Sequence, residues 1–261
     1  MAILFLIVSF LASTAGAICG IGGGVVIKPV LDLAQMGDAS TINFLSGCTV
    51  LSMSLYSVAK SLRSNDSKVD MSTGTPLALG AAVGGIIGKE LFSSVKAFFG
   101  GSSMVGGVQA VVLGIVTIAT LLYTLNKASI ATRNISGSLA CVVIGLLLGI
   151  MSSFLGIGGG PMNLVVLGYC FSMDSKTAAG NSLYIILFSQ AASLLTTVIT
   201  GGVPRFQLMV LLMMITGGIC GGIVGRKLNK RMDNRAVDKL FVALLVLIVA
   251  ICVFNTVRAF G

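Results

Sequence analysis

Gly20-Ile21-Gly22-Gly23-Gly24 interrupts an apolar run near the start of the chain. The same pentapeptide returns 136 positions further on, at Gly156-Ile157-Gly158-Gly159-Gly160. Each glycine inside a helix costs about 1 kcal/mol relative to alanine. In hydrocarbon a broken helix also frees backbone groups that lipid cannot satisfy, so a break survives only where protein or a polar cavity surrounds it. Finding the break twice in 261 residues points to a duplicated membrane unit built on discontinuous helices.

Composition agrees. Hydrophobic residues make up 56% of the chain, charged residues 10%, and the mean hydropathy is +1.04. Apolar runs fall at about 2–19, 41–59, 72–88, 104–125, 135–155, 177–199, 206–225 and 236–257. Most approach the ~20 residues that span ~30 Å of hydrocarbon, and the intervals leave no room for a soluble domain. The chain therefore reads as an all-α polytopic membrane protein. Met1–Ala17 ends in Ala15-Gly16-Ala17, residues small enough for signal peptidase, but no Lys or Arg precedes its apolar run. It leads into the first pentapeptide as 137–155 leads into the second, so it is expected to remain as a membrane segment.

Several chemistries are disfavoured. His is absent, and the six cysteines contain no C-x-x-C pair, which leaves a zinc site or a Ser-His hydrolase little to stand on. No enzyme activity, metal or cofactor is expected. The net charge of +9 suits loops lying against anionic lipid rather than nucleic acid.

The repeat extends beyond the glycines. At an offset of 136, Asp38 falls on Asp174, Thr41 on Thr177 and Val25–Leu33 on Pro161–Tyr169. Gly84–Leu91 matches Gly221–Leu228 at 137, and Ser46–Val50 resembles Ala179–Leu183 across a small gap. The halves are 1–128 and 129–261. Loop charges indicate their relation. Lys60, Arg63 and Lys68 follow the third segment of half one, against Arg205 in half two. The next loop holds Lys89 and Lys96 in half one, but Arg226, Lys227, Lys230, Arg231, Arg235 and Lys239 in half two. Opposite positive bias in equivalent loops predicts two inverted-topology repeats under the positive-inside rule. Inversion needs an odd number of crossings per half. Five each, ten in total, follow if the short segments after the glycines, such as Val25–Met36, also cross. Positive charge then gathers inside at 60–68, 127–133 and 226–239, with both termini outside. Eight crossings with re-entrant glycine hairpins are the alternative.

A helix opening at Gly24 or Gly160 points free N–H groups and a positive dipole end into the membrane interior. Glycines without side chains let an anion approach those amides. Gly22, Gly23, Gly24, Gly158, Gly159 and Gly160 are therefore candidate ligands, and tight helix packing is the alternative. For Gly84, Gly88, Gly221 and Gly225, in G-x-x-x-G spacing, packing is the preferred reading. Asn163 lies three residues past the second triplet, and Asn181 and Ser182, with Cys48 and Thr49 in half one, read as opening the following helix; all offer neutral donors, or else interhelical hydrogen bonds. Gln190, deep in its helix, ranks behind them. Lys28 and Asp32 are candidate charge or coupling groups, and Asp38 and Asp174 read as helix N-caps.

These residues resemble the sulfite exporter TauE/SafE family of membrane permeases. The pattern is a repeated G-x-G-G-G, an apolar stretch with proline (Pro29, Pro161), then a G-T-S-like or G-N-S-like helix opening. The openings here are Gly47-Cys48-Thr49 and Gly180-Asn181-Ser182. Two departures are Pro161 directly after the glycines and Cys48 where Thr or Asn is usual. The resemblance covers essentially the whole chain. It implies a multi-pass transporter of the bacterial plasma membrane that exports sulfite or a related organosulfonate. Import of a sulfur compound or other small anion, or passive conduction, is the alternative. The expected partners are the small anion and the bilayer, and a homodimer stays open.

Overall fold

The computed structural model describes residues 2–34, 37–63, 69–99, 102–135 and 137–260; Met36 and Lys68, used above, lie outside these ranges. Among the described residues helices are the regular secondary structure and no strand occurs. In order come α1 (Ala2–Cys19), α2 (Gly24–Leu33), α3 (Ala39–Leu62), α4 (Met71–Phe98), α5 (Ser102–Asn126), a 3-10 turn at Lys127–Ser129, α6 (Ser138–Leu155), α7 (Gly160–Phe171), α8 (Ser175–Ile199), α9 (Leu208–Arg231) and α10 (Asn234–Phe260). Among the described residues ten α-helices follow the order of the expected segments, but seven of them are long and apolar enough to cross a bilayer. The other three flank the glycine breaks. At 1.5 Å per residue, α2 and α7 reach about 15 Å and 18 Å, roughly half the hydrocarbon thickness.

Local chemistry sets the boundaries. Asp174 caps α8 by accepting from the Thr177 N–H at 2.7 Å, as expected. Asp38 also stands at an N-cap, but its carboxylate accepts the Thr41 hydroxyl at 2.5 Å rather than a backbone N–H. Asp70 caps α4 from outside the span. The Ser72 hydroxyl and N–H and the Thr73 hydroxyl hold its carboxyl below the ordinary carboxylate range.

Two seams of small residues organise the bundle. A Cβ placed on Gly80, Gly84 or Gly88 of α4 would lie 2.1, 2.1 or 2.4 Å from the carbonyl oxygens of Val142, Leu146 and Ile150 on α6. The matching positions rise together in number, so the two helices run parallel. Gly217, Gly221 and Gly225 of α9 meet the carbonyls of Leu6, Phe10 and Thr14 in the same way, so α1 runs parallel to α9. These glycines serve close packing, as expected. α4 also packs on α8 and α3 on α9, while α3 faces α8 and α5 faces α10.

The helix ends separate into two groups. At one end Arg226 donates to the carbonyls of Ser57 (2.6 Å) and Lys60 (3.1 Å), Lys176 donates to Met232 O at 2.9 Å, and Lys127 pairs with Asp238. At the other end Lys96 donates to Ser40 Oγ at 2.7 Å, Thr41 to Arg205 O at 3.4 Å, and Arg258 to Leu33 O at 3.1 Å. The first end gathers Lys60, Arg63, Lys127, Arg133, Lys176 and the six cations from Arg226 to Lys239. Five cations, Lys28, Lys89, Lys96, Arg205 and Arg258, belong to the opposite half of the molecule. Between the ends, outward-facing Ile3, Leu11, Leu79, Ile115, Leu147, Leu195 and Val253 form the kind of apolar girdle that lipid covers.

Candidate functional site

Each pentapeptide ends one helix and begins the next. At the end of α1 the N–H groups of Gly20 (2.8 Å) and Ile21 (3.1 Å) both donate to Gly16 O, and Gly20 sits at φ +78°. At the end of α6, Gly156 takes φ +66° and donates to Ser153 O at 3.2 Å, while Ile157 donates to Ser152 O at 3.3 Å. A left-handed exit of this kind is cheap only for glycine. α2 then opens at Gly24, and α7 opens at Gly160 with Pro161 next, a residue with no N–H to leave unpaired.

The two breaks meet inside the molecule. A Cβ on Gly24 would lie 2.5 Å from the Ile157 carbonyl oxygen, and one on Gly160 would lie 2.5 Å from Val25 Cγ2. Ile21 and Ile157, the isoleucines of the two motifs, are buried in one apolar cluster with Val25, Leu155 and Ile248. Val50 of α3 and Ile186 of α8 reach both loops: each lies 3.4 Å from a Cβ on Gly22, and 2.7 and 3.4 Å from one on Gly158.

This packing fixes the register of the repeat. Gly20 abuts Ala179 and Gly156 abuts Asn43, a pair offset by 136 like Val50 and Ile186. The small gap expected between Ser46–Val50 and Ala179–Leu183 is therefore not needed. Ser46 pairs with Ser182, and Thr49 with Ile185. On α3 the stripe Asn43, Ser46, Val50 faces the breaks, and on α8 the stripe is Ala179, Ser182, Ile186, Gln190, both with helical spacing.

Polar groups with unmet bonding capacity line this crossing. Ser13, Asn163 and Gln190 are 0%, 1% and 3% exposed, and Ser13 Oγ, Asn163 Oδ1 and Gln190 Nε2 have no hydrogen-bond partner among the described residues. Ser13 Oγ is 2.8 Å from a Cβ on Gly23, and Gln190 Nε2 is 3.7 Å from one on Gly158. Asn163 donates through Nδ2 to Ser182 Oγ at 3.3 Å, beside Gly159. Hydroxyl and amide donors stand here beside the first-turn N–H groups of two helices, neutral groups of the kind that can bind a small anion.

The other candidates stand elsewhere. Thr49 donates to Leu45 O at 2.8 Å and turns its methyl toward Gly218 of α9. Cys48 is two positions before Val50, hence about 200° around α3 from the loop-facing side. Asn181 accepts from the Asp70 N–H at 3.1 Å and donates to Thr177 O at 2.9 Å, which ties the start of α4 to α8. Lys28 is buried and pairs with Asp32 at 3.4 Å within α2, beside Cys252 and Asn255 of α10 rather than at the crossing. Ser13 and Asn43 were not singled out from sequence. Ser13 is hidden among the small residues of α1. Asn43 carried a usable signal, since it is the one asparagine in the 41–59 apolar run and pairs with Ala179 without a gap.

Over 223 residues the chain is 23% identical to a probable membrane transporter protein, YunE, of Bacillus subtilis (strain 168), covering 77% of this chain and 80% of that protein. No solved structure matches the chain. The family model described as sulfite exporter TauE/SafE matches residues 5–251, both pentapeptides and all but the outermost turns of the bundle. Paired glycine breaks crossing inside a bundle of long apolar helices are thus the core of a multi-pass membrane transporter, and the chain belongs to the sulfite exporter TauE/SafE family.

Proposed function

We propose that the chain is a secondary transporter that carries a small anion outward across a bacterial plasma membrane, by alternating access of two inverted halves, 1–128 and 129–261. The anion is sulfite or a related sulfur oxyanion or organosulfonate, the class that the family's name indicates. The observation that carries the reading is the meeting of the α2 and α7 openings beside Ser13 Oγ and Gln190 Nε2, donors with no partner among the described residues.

Inversion is supported by the packing. Exchanging the first five helices for the last five turns α1–α9 into α4–α6, α3–α9 into α4–α8, and α2–α10 into α5–α7, all of which are packed pairs. α1 ends near Asn229 at the basic end, where Asn229 Nδ2 donates to Ile18 O at 2.6 Å. α6 instead ends at Gly156 beside Asn43, one turn into α3 at the opposite end. The positive-inside rule assigns the basic end to the cytoplasm. With the cell interior negative, each negative charge leaving gains about 2.3 kcal/mol per 100 mV, so export needs no coupled ion.

Counterflow of labelled sulfite and thiosulfate into proteoliposomes tests the function, with Asn163→Leu as the site control. Saturable exchange of at least one of these anions is expected. A loss of about 10-fold or more is expected in the variant, which strips a buried hydrogen-bonding group from the site. Absence of flux for every sulfur anion would sink the reading, and unsaturable flux would turn it into a channel.

A further inference from the structure

Two clefts open at opposite ends of the bundle. The first, about 280 Å³, lies at the basic end between α1, α3, α8 and α9, and is lined by Ser57, Ser61, Lys176, Ala179, Arg226 and Lys230 among others. The second, about 470 Å³, lies at the other end between α3, α4 and the end of α8, with Ser40, Lys89, Phe92, Ser93, Lys96 and Thr200 in its wall. Carboxylates are absent from the described lining of both.

The clefts share equivalent positions of the two halves. In the register fixed by the glycine breaks, Ser40 is the counterpart of Lys176. At the 137 offset of the G-x-x-x-G segments, Lys89, Phe92 and Ser93 are the counterparts of Arg226, Asn229 and Lys230, and all of these residues line one cleft or the other. Each cleft also lies within about one helical turn of a residue that abuts a glycine break. The lining of the first includes Ala179, whose Cα lies 2.2 Å from where a Cβ on Gly20 would stand. The wall of the second holds Ser40, one turn before Asn43, whose Oδ1 lies 2.4 Å from a Cβ on Gly156.

We propose that these clefts are the inner and outer mouths of one anion path, with Lys176, Arg226 and Lys230 gathering the anion at the inner mouth and Lys89 and Lys96 at the outer. The assignment rests on the anion-transport reading above and adds a sidedness to it. The ligand class is a small oxyanion, which cations in a carboxylate-free cleft concentrate before it reaches the neutral crossing. A cleft lined by one sign of charge raises local ligand concentration by about 10-fold or more at low ionic strength. Arg226 also staples α9 to the end of α3 through Ser57 O and Lys60 O, so the inner test falls on the two lysines.

Membrane vesicles of both orientations provide the experiment, with labelled sulfite as the probe. In inside-out vesicles K176Q/K230Q is expected to raise the KM for sulfite about 10-fold at low salt, while right-side-out vesicles keep the wild-type value. K89Q/K96Q is expected to do the reverse. K176R/K230R and K89R/K96R should keep the wild-type KM on both sides, which separates charge from folding. Raising the salt to 1 M shortens the screening length to about 3 Å and should erase the differences. Equal effects from both sides, or no effect from either, would overturn the cleft assignment while leaving transport standing. Absence of any anion flux in the wild type would overturn both.

Discussion

Gln190 holds a buried amide nitrogen without a partner among the described residues, 3.7 Å from where a Cβ on Gly158 would stand. An unsatisfied buried donor costs a fold about 1–3 kcal/mol. Gln190→Leu therefore should leave the unfolding midpoint unchanged or raise it, while sulfite counterflow falls. A thiol-reactive dye that reports exposure of the buried cysteines measures the first, and proteoliposomes measure the second. Loss of stability together with flux would make Gln190 a packing residue. Lys28 and Asp32 tell a different story. Their counterparts at the 136 offset are Leu164 and Gly168, so the ion pair breaks the internal symmetry and belongs to α2 and its contact with α10. Sequence exposed these residue types but not the faces they occupy. Asn181 and Ser182 look equivalent in the chain, yet a 100° step around α8 sends one to the α4 cap and the other to Asn163.

Among the elements, the glycine seams make the sharpest demand. The Cβ introduced by Gly84→Ala would sit 2.1 Å from the Leu146 carbonyl oxygen, a backbone atom that no rotamer change moves aside. Overpacking of this sort costs about 1–3 kcal/mol. The variant should unfold earlier in detergent than wild type, and Gly221→Ala, 2.4 Å from Phe10 O, should behave alike. A Gly106→Ala control, where the nearest atom is Ala39 Cβ at 3.8 Å, should not. Most helices were legible from sequence because lipid demands long apolar runs and glycine triplets must interrupt them. The pairing of α1 with α9 and of α4 with α6 was not, since small residues announce close approach without naming the partner.

For the whole molecule, the charged loops and the packing make one prediction about sidedness. On a background with the native cysteines replaced, Ser93→Cys should react with a membrane-impermeant maleimide on intact cells, and Ser61→Cys only after permeabilisation. Labelling of both from the same side would refute the inverted arrangement. The loop charges predict the inversion because positive residues bias insertion. The ungapped register was not legible, because Ser-Gly-Cys-Thr and Ala-Gly-Asn-Ser look alike in type and only contact with the breaks separates them.

The parallel seam between α1 and α9 also has a history in time. α1 leaves the ribosome about 200 residues before the glycines of α9 exist, an interval of roughly 10–40 s at ordinary elongation rates. Through that interval Ser9, Ser13 and the first glycine break face lipid or provisional neighbours, and the α4–α6 seam can close first. α1 thus waits through the synthesis of seven further helices for its seam partner, whereas the contacts between the two glycine breaks need nothing beyond α8.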